Sequence, residues 1–172
     1  MTKRLLIREI TPDDVDALYR IYGDERVTRY IPGLQKDPEE ERRLTKAYIE
    51  SAYAFYGFGL WVVLERSTGR LIGRVGLTPR QMGDCCVLEL GYVIDAGCWR
   101  QGYAAEACEA AIRYAREELD CGELNAFIRV GNTASIALAE KLGFRYFDRW
   151  EQDGFQFVWY VKDLCDTLYN ME

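Results

Sequence analysis

Leu88-Glu89-Leu90-Gly91-Tyr92-Val93-Ile94-Asp95-Ala96-Gly97-Cys98-Trp99-Arg100-Gln101-Gly102-Tyr103-Ala104-Ala105-Glu106-Ala107 changes its hydrophobic period part-way along. Val87 to Ile94 is aliphatic and β-branched, ends at Asp95 and is too short for a convincing helix, so it predicts a strand. From Gly102 onward Ala104, Cys108, Ala111, Ala115 and Leu119 recur at helical spacing, which assigns Glu106, Glu109, Arg113 and Arg116 to the other face. A strand, a short loop and an alanine-rich helix result. A tight turn into a helix leaves several backbone N–H groups unpaired beside the positive end of the helix dipole. Phosphate oxygens suit that geometry, Arg100 adds a forked cationic donor, and Gly102 has no Cβ to hold a ligand off the backbone. The competing reading is an ordinary strand-to-helix connection, because short glycine motifs also match by chance.

The whole chain bounds what this turn can serve. Its 172 residues predict one domain, able to bury about 70% of its unfolded surface. Hydrophobic residues at 49% and charged ones at 29% are ordinary for a soluble globular protein. The longest apolar runs, such as Gly59 to Leu64, are far too short to cross a bilayer. Met1 to Glu9 lacks a secretory cleavage pattern, so the expected compartment is the cytoplasm. A net charge of −6 without a basic tract argues against nucleic acid as a partner and weakly favours a cationic substrate. The six cysteines form no C-x-x-C pair and there is no histidine, which argues against a zinc site. All six read as reduced thiols acting as small hydrophobes, with Cys98 alone near the proposed chemistry. Without histidine, a general acid or base must be a carboxylate, tyrosine, cysteine, lysine, water or backbone group, and Ser-His-Asp and Cys-His mechanisms are excluded.

Outward from the central stretch, Arg4 to Ile10 predicts a first strand. Thr11-Pro12-Asp13-Asp14 opens a helix burying Val15, Leu18, Ile21 and Tyr22. A short helix is expected over Asp24 to Tyr30, stopped by Pro32 and Gly33. A longer one from Asp37-Pro38-Glu39-Glu40 carries Leu44, Ala47, Tyr48, Ala52 and Tyr53 at helical spacing, with Glu39 to Arg43 as its solvated first turn. Phe58 to Glu65 and Leu71 to Leu77 flank Ser67-Thr68-Gly69 as a hairpin, and Gln81-Met82-Gly83-Asp84 is the next turn. Leu124 to Val130 predicts a strand. Asn132 caps a helix from Thr133 to Leu142, ended by Gly143. Phe144 to Trp150 and Phe155 to Val161 close the chain as a hairpin about Gln152-Asp153-Gly154. The order is that of a mixed α/β domain of the α+β type.

Two segments together resemble the GNAT superfamily of N-acetyltransferases. Trp99-Arg100-Gln101-Gly102-Tyr103-Ala104 lies on the family's pyrophosphate pattern Q/R-x-x-G-x-G/A, with Trp99 in place of the leading Gln or Arg. Asn132-Thr133-Ala134-Ser135-Ile136-Ala137-Leu138-Ala139-Glu140-Lys141-Leu142-Gly143-Phe144 resembles its N-x-x-S/A…K-L-G-F element. The tryptophan before the loop, Gly102-Tyr103-Ala104 and Glu106 are most similar to the Rim-type branch, in which glycine often stands where this chain has Arg100. That branch acetylates ribosomal-protein N-termini, with relatives acting on polyamines, antibiotics and other amines. The similarity covers essentially the whole chain. It implies a mostly antiparallel sheet with one splayed parallel pair, the strands ending at Ile94 and Val130, and helices on both faces.

The resemblance also implies acetyl-CoA as cosubstrate, with no metal, and an amine as acceptor: a peptide N-terminus, a polyamine or another small amine. The coenzyme's pyrophosphate would sit on Trp99, Arg100, Gln101, Gly102, Tyr103 and Ala104. Its pantetheine amides would pair like an added strand with Tyr92, Val93 and Ile94. Asn132 would reach the arm with its amide or serve only as an N-cap, or do both. Ser135 would be a hydroxyl near the sulfur or a plain first-turn residue.

Presenting a lysine-like amine neutral at pH 7 costs about 4.6 kcal/mol, and an α-amine about 1 kcal/mol, so the proton needs a route. Glu89 shares a strand face with Gly91 and Val93 and is the candidate base, against a reading as a solvated sheet-face glutamate. The Val93 N–H is the candidate oxyanion donor. Many members place a tyrosine acid where this chain has Ala139, and some place a glutamate base where it has Phe127. Tyr30, Trp61, Phe155 and Trp159 are candidates for lining the acceptor, or core residues. The chain is expected as a monomer or homodimer, away from membranes. A catalytically silent acyl-CoA sensor is the alternative that Ala139 and Phe127 keep open. A nicotinamide-binding domain is set aside, because Gly97 to Gly102 lacks one glycine of G-x-G-x-x-G.

Overall fold

A computed structural model describes residues 2–31 and 37–165. The expected helix stop at Pro32 and Gly33 lies outside the described residues. Seven strands form one sheet in the order β1-β2-β3-β4-β5-β7-β6: Leu5–Glu9, Leu60–Glu65, Leu71–Met82, Cys85–Ile94, Glu123–Arg129, Phe155–Asp163 and Arg145–Gln152. The β4–β5 pair is parallel, and the other pairs whose register is resolved (β1–β2, β2–β3, β5–β7 and β6–β7) are antiparallel, giving the mixed α/β sheet that the pattern implies. The chain divides into two compact units, one from Met1–Thr78 with Gly91–Ala110, the other from Pro79–Leu90 with Ala111–Glu172.

In the first unit β1 runs antiparallel to β2, with Leu5 opposite Glu65 and Glu9 opposite Trp61. A 3₁₀ turn, Pro12–Asp14, leads into α1, Val15–Tyr22. The Asp14 carboxylate accepts the Thr11 N–H at 2.8 Å, which secures the turn before the helix starts. Val15, Leu18, Ile21 and Tyr22 are all buried, as their spacing predicts. Leu18, Ile21 and Tyr22 join Ile10, Val27, Val62 and Val93 in one apolar cluster. Burying each large side chain there contributes roughly 1.5–3 kcal/mol. The next helix is shorter than expected: α2 covers Glu25–Thr28, capped by Asp24, which accepts from the Arg26 N–H at 2.9 Å.

The long helix is only partly covered. α3, Pro38–Tyr48, starts at the Asp37 cap, passes through a π-helical turn at Ile49–Tyr53, and ends as α4, Ala54–Tyr56. None of its residues is buried, and Leu44 is 38% exposed. Tyr48 and Tyr53 are half-buried, their hydroxyls meeting strand backbone rather than a dry core: Leu60 N–H donates to Tyr48 Oη at 2.6 Å, and Tyr53 Oη donates to the Leu60 carbonyl. Gly59 permits that approach, since a Cβ there would lie 2.4 Å from Tyr48 Oη.

The β3–β4 hairpin is longer than expected, its strands running up to Gly83-Asp84, with Gly83 at φ +59°. In the second unit β4 pairs with β5 through Glu89 opposite Asn125, and β5 pairs with β7 from Glu123–Asp163 to Arg129–Phe157. The β6–β7 hairpin turns at Asp153 and Gly154, both at positive φ, as a tight twisted hairpin demands. α6, Thr133–Lys141, carries the expected Asn132 cap. α5, Tyr103–Glu117, continues the chain from the first unit to the second.

One expectation about side chains is corrected. The six cysteines form no disulfide among the described residues, but only Cys98 and Cys108 are buried; Cys85, Cys86 and Cys165 are exposed, so they are not core hydrophobes. Glu106, on the face of α5 away from the alanine stripe, is covered by residues from the start of the chain, as the next subsection describes. No helix among the described residues is long and apolar enough to cross a membrane.

Candidate active site

The turn before α5 is built in the first unit. Asp95 Oδ1 accepts the Gly97 N–H at 2.9 Å and shapes the 3₁₀ turn Ala96–Cys98. Trp99 then anchors its indole on the Ile94 carbonyl at 2.7 Å, and Gln101 Nε2 donates to the Gly97 carbonyl at 3.1 Å. Arg100 at φ +60° and Gly102 at φ +81° adopt left-handed backbone, which turns the chain sharply. Arg100, Gln101 and Gly102 are exposed. Their backbone N–H groups donate to no described protein group. Backbone donors without a described protein acceptor at a helix start, beside an exposed arginine, are chemistry suited to a diphosphate.

The turn is braced by β1 and the residues before it. Arg4 donates from Nη1 to the Gln101 carbonyl at 2.8 Å and lays its guanidinium 4.5 Å from the Tyr103 ring centroid. Arg4 also donates to Glu106 twice, from Nε to Oε2 at 2.6 Å and from its backbone N–H to Oε1 at 2.8 Å, while Thr2 Oγ1 donates to Oε1 at 2.5 Å. Burial opposes ionisation of Glu106, but these donors outweigh it and hold the carboxyl below the ordinary glutamate range. Tyr103 Oη donates to Glu65 at 2.5 Å, tying the helix start to β2. Arg70 Nη2 lies 2.8 Å from Cys98 Sγ, yet burial, the larger influence, pushes this thiol up.

The second unit holds Glu89. Its Oε2 accepts from Arg80 Nε at 2.6 Å, and Arg80 Nη1 donates to Gln152 Oε1 at 2.7 Å. The Arg80 guanidinium lies 4.5 Å from the Phe127 ring centroid. Burial pushes the Glu89 carboxyl up, Arg80 pulls it down, and it stays above the usual glutamate value. Opposite it, Asn125 is 1% exposed and accepts from Trp159 Nε1 at 2.6 Å. Phe127 and Phe147 flank Trp159 at 5.3 and 4.5 Å between ring centroids. Arg80, Asn125 and Gln152 escaped the sequence reading. An opposite charge on each arm of the hairpin about Gly83-Asp84 was the available signal for Arg80; Gln152 on β6 and the amide of Asn125 gave none.

The remaining candidates are placed as follows. Val93 and Ile94 are buried at the end of β4 with Tyr92 half-buried beside them, and Ala104 is half-buried at the start of α5. Asn132 Oδ1 caps α6 by accepting the Ser135 N–H at 3.2 Å. Ala139 is buried, so no hydroxyl extends from α6 there. Tyr30 and Trp61 belong to the first unit, Phe155 and Trp159 to the second. Tyr30, Trp61 and Trp159 are half-buried, and Phe155 packs on Arg129 at 4.0 Å.

Residues 4–145 match the acetyltransferase (GNAT) domain family. The chain is 32% identical over 150 residues to YkkB of Bacillus subtilis, covering 85% of this chain and 84% of that protein. It is 30% identical over 145 residues to the N-acetyltransferase YoaA of the same organism, covering 84% and 81%. The ribosomal-protein-S5-alanine acetyltransferase of Vibrio fischeri shares its fold, with a TM-score of 0.80 over 96% of each chain at 15% identity. A family match spanning most of the chain, with relatives at this level of identity, places the protein in the GNAT family of acetyltransferases.

Proposed function

We propose that this enzyme transfers the acetyl group of acetyl-CoA to a primary amine, a peptide N-terminus or a small amine such as a polyamine. The observation that carries the reading is the exposed turn Arg100–Gly102, whose amides meet no described protein acceptor, and which precedes α5 and is braced by Arg4. Trp99 to Ala104 would hold the diphosphate, and Tyr92, Val93 and Ile94 the pantetheine amides. The Trp99 indole already uses the Ile94 carbonyl, which fixes the end of that strand. Asn132 and Ser135 are carried as coenzyme contacts by the N-x-x-S element alone, and the Asn132 cap is compatible with its amide nitrogen reaching a ligand. YoaA, named an N-acetyltransferase, supports nitrogen as the accepting atom.

In this mechanism the acceptor ammonium loses a proton to Glu89. The nitrogen lone pair then forms a bond to the acetyl carbon, the carbonyl oxygen takes up negative charge against the Val93 N–H, and the carbon–sulfur bond breaks. The sulfur leaves as thiolate and is protonated from solvent or Ser135, because Ala139 supplies no acid. Burial, which raises this carboxyl above the ordinary glutamate range, makes it a stronger base than a solvated glutamate, which suits proton acceptance.

Thermal unfolding with and without saturating acetyl-CoA, followed by thiol release with peptides, spermidine and aminoglycosides, tests the proposal. A rise in melting temperature and turnover on an amine are expected. Failure of acetyl-CoA to raise the melting temperature removes the diphosphate site, and tight binding without turnover on any amine selects the silent sensor instead.

A further inference from the structure

Arg80 reaches three strands of the second unit at once: Glu89 on β4, Gln152 on β6 and the ring of Phe127 on β5. The side chains of Arg80 and Glu89 are 25% and 16% exposed, so their pairing is partly withdrawn from water and weakly screened by salt. Gln152 and Phe127 leave the guanidinium little freedom, and its Nε then fixes one oxygen of the carboxylate. Glu89 Oε1 accepts from no described residue. Across the parallel pair stands Asn125, which is neutral and whose amide is taken by Trp159 and Glu123. Among the described residues, Arg80 is the charged group that acts on Glu89.

We propose that Arg80 is a positioning residue for acetyl transfer, holding the Glu89 carboxylate ionised and oriented so that Oε1 stays open to the acceptor's ammonium proton. The inference rests on Glu89 as proton acceptor. Left to burial alone, this carboxyl would drift toward its neutral form and could take no proton from an amine. With Arg80 in place, the ammonium N–H bond breaks, the proton ends on Oε1, and solvent removes it after the acetyl group has moved. Arg80 itself neither gains nor loses a proton, because a guanidinium stays charged throughout.

The test follows Glu89 in the full chain by ¹³C NMR of labelled glutamate carboxyls, its resonance identified by loss in Glu89→Gln. Arg80→Met should raise the midpoint by about one unit, tenfold in proton affinity, and Arg80→Lys should restore most of it. The acid limb of kcat/KM, measured with the amine that turns over in the acceptor panel, should move upward with the midpoint, which a merely structural role would not produce. A midpoint or limb unmoved in Arg80→Met, when the limb is lost in Glu89→Gln, overturns the role of Arg80 alone. An unchanged limb in Glu89→Gln overturns the base assignment and the proposal with it. Should Arg80→Met fail to fold, Gln152→Leu frees one arm of the guanidinium and should shift the midpoint in the same direction; no shift there also overturns the proposal.

Discussion

Arg4 binds Glu106 with both its side chain and its own backbone N–H, so the start of β1 and the first turn of α5 are joined through one carboxylate. The same guanidinium holds the Gln101 carbonyl. Glu106→Ala removes the acceptor from Arg4 N and from Thr2 Oγ1 together, and should cost about 1–3 kcal/mol. Because the turn loses its brace, the KM for acetyl-CoA should rise several-fold while kcat changes less. Urea unfolding and steady-state kinetics on the variant check both parts.

Gly102 carries a prediction of a different kind. At φ +81° a side chain is strained, and its Cβ would sit 3.3 Å from Arg4 Nη2. Gly102→Ala should lower stability by about 1 kcal/mol and weaken coenzyme binding modestly. Gly102→Glu, adding bulk and negative charge where a diphosphate is expected, should abolish binding by calorimetry while the chain stays folded. Normal coenzyme affinity in Gly102→Glu would show that the phosphates bind elsewhere.

These two residues mark how far the sequence could be read. The period change at Gly102 located the strand, the turn and α5, and Asn132 announced its cap, because both signals are local. What covers Glu106 could not be read, because its partners, Thr2 and Arg4, lie about a hundred positions away, and helical spacing says nothing of what arrives from outside the helix. Arg80 was hidden for a similar reason: its contact with Gln152 spans 72 positions. The stripe from Leu44 to Tyr53 was legible as helix but not as half-exposed helix, since periodicity reports which face is apolar and not how completely it is covered.

Asp14 predicts how the fold answers acid. Burial favours its neutral form, but the paired bonds from Arg8 at 2.7 and 2.8 Å and those from the Thr11 N–H and hydroxyl prevail, so its carboxyl lies below the usual aspartate value. A carboxyl depressed in the folded state binds fewer protons there than in the unfolded chain, so stability rises with pH across that window. Its contribution should be complete above the unfolded aspartate value and lost as pH falls through the folded one. Asp14→Asn should lower stability at pH 7 by about 1–2 kcal/mol, discounted because Arg8 is 37% exposed, and the deficit should shrink toward pH 3. Urea unfolding of both proteins from pH 7 to pH 3 measures it, and a constant deficit would remove Asp14 as the source.

Tyr53 tests whether the π-helical turn is built for its hydroxyl. Across that turn the rings of Tyr48, at the end of α3, and Tyr53 lie 5.8 Å apart edge to face, and Tyr53 Oη accepts the Ile10 N–H at 3.0 Å while donating to the Leu60 carbonyl. One phenol thus closes the end of β1 on the start of β2. Burial pushes its pKa up to about 12, so it stays neutral and keeps the proton it donates throughout the physiological range. Tyr53→Phe keeps the ring but leaves Ile10 N–H and Leu60 carbonyl without this partner, at a cost of about 1–3 kcal/mol. If the π turn exists to aim this hydroxyl, amide exchange in Tyr53→Phe should quicken over Ile49–Tyr53 as well as at Ile10. Quickening at Ile10 alone would show that the helix holds its π register without the phenol.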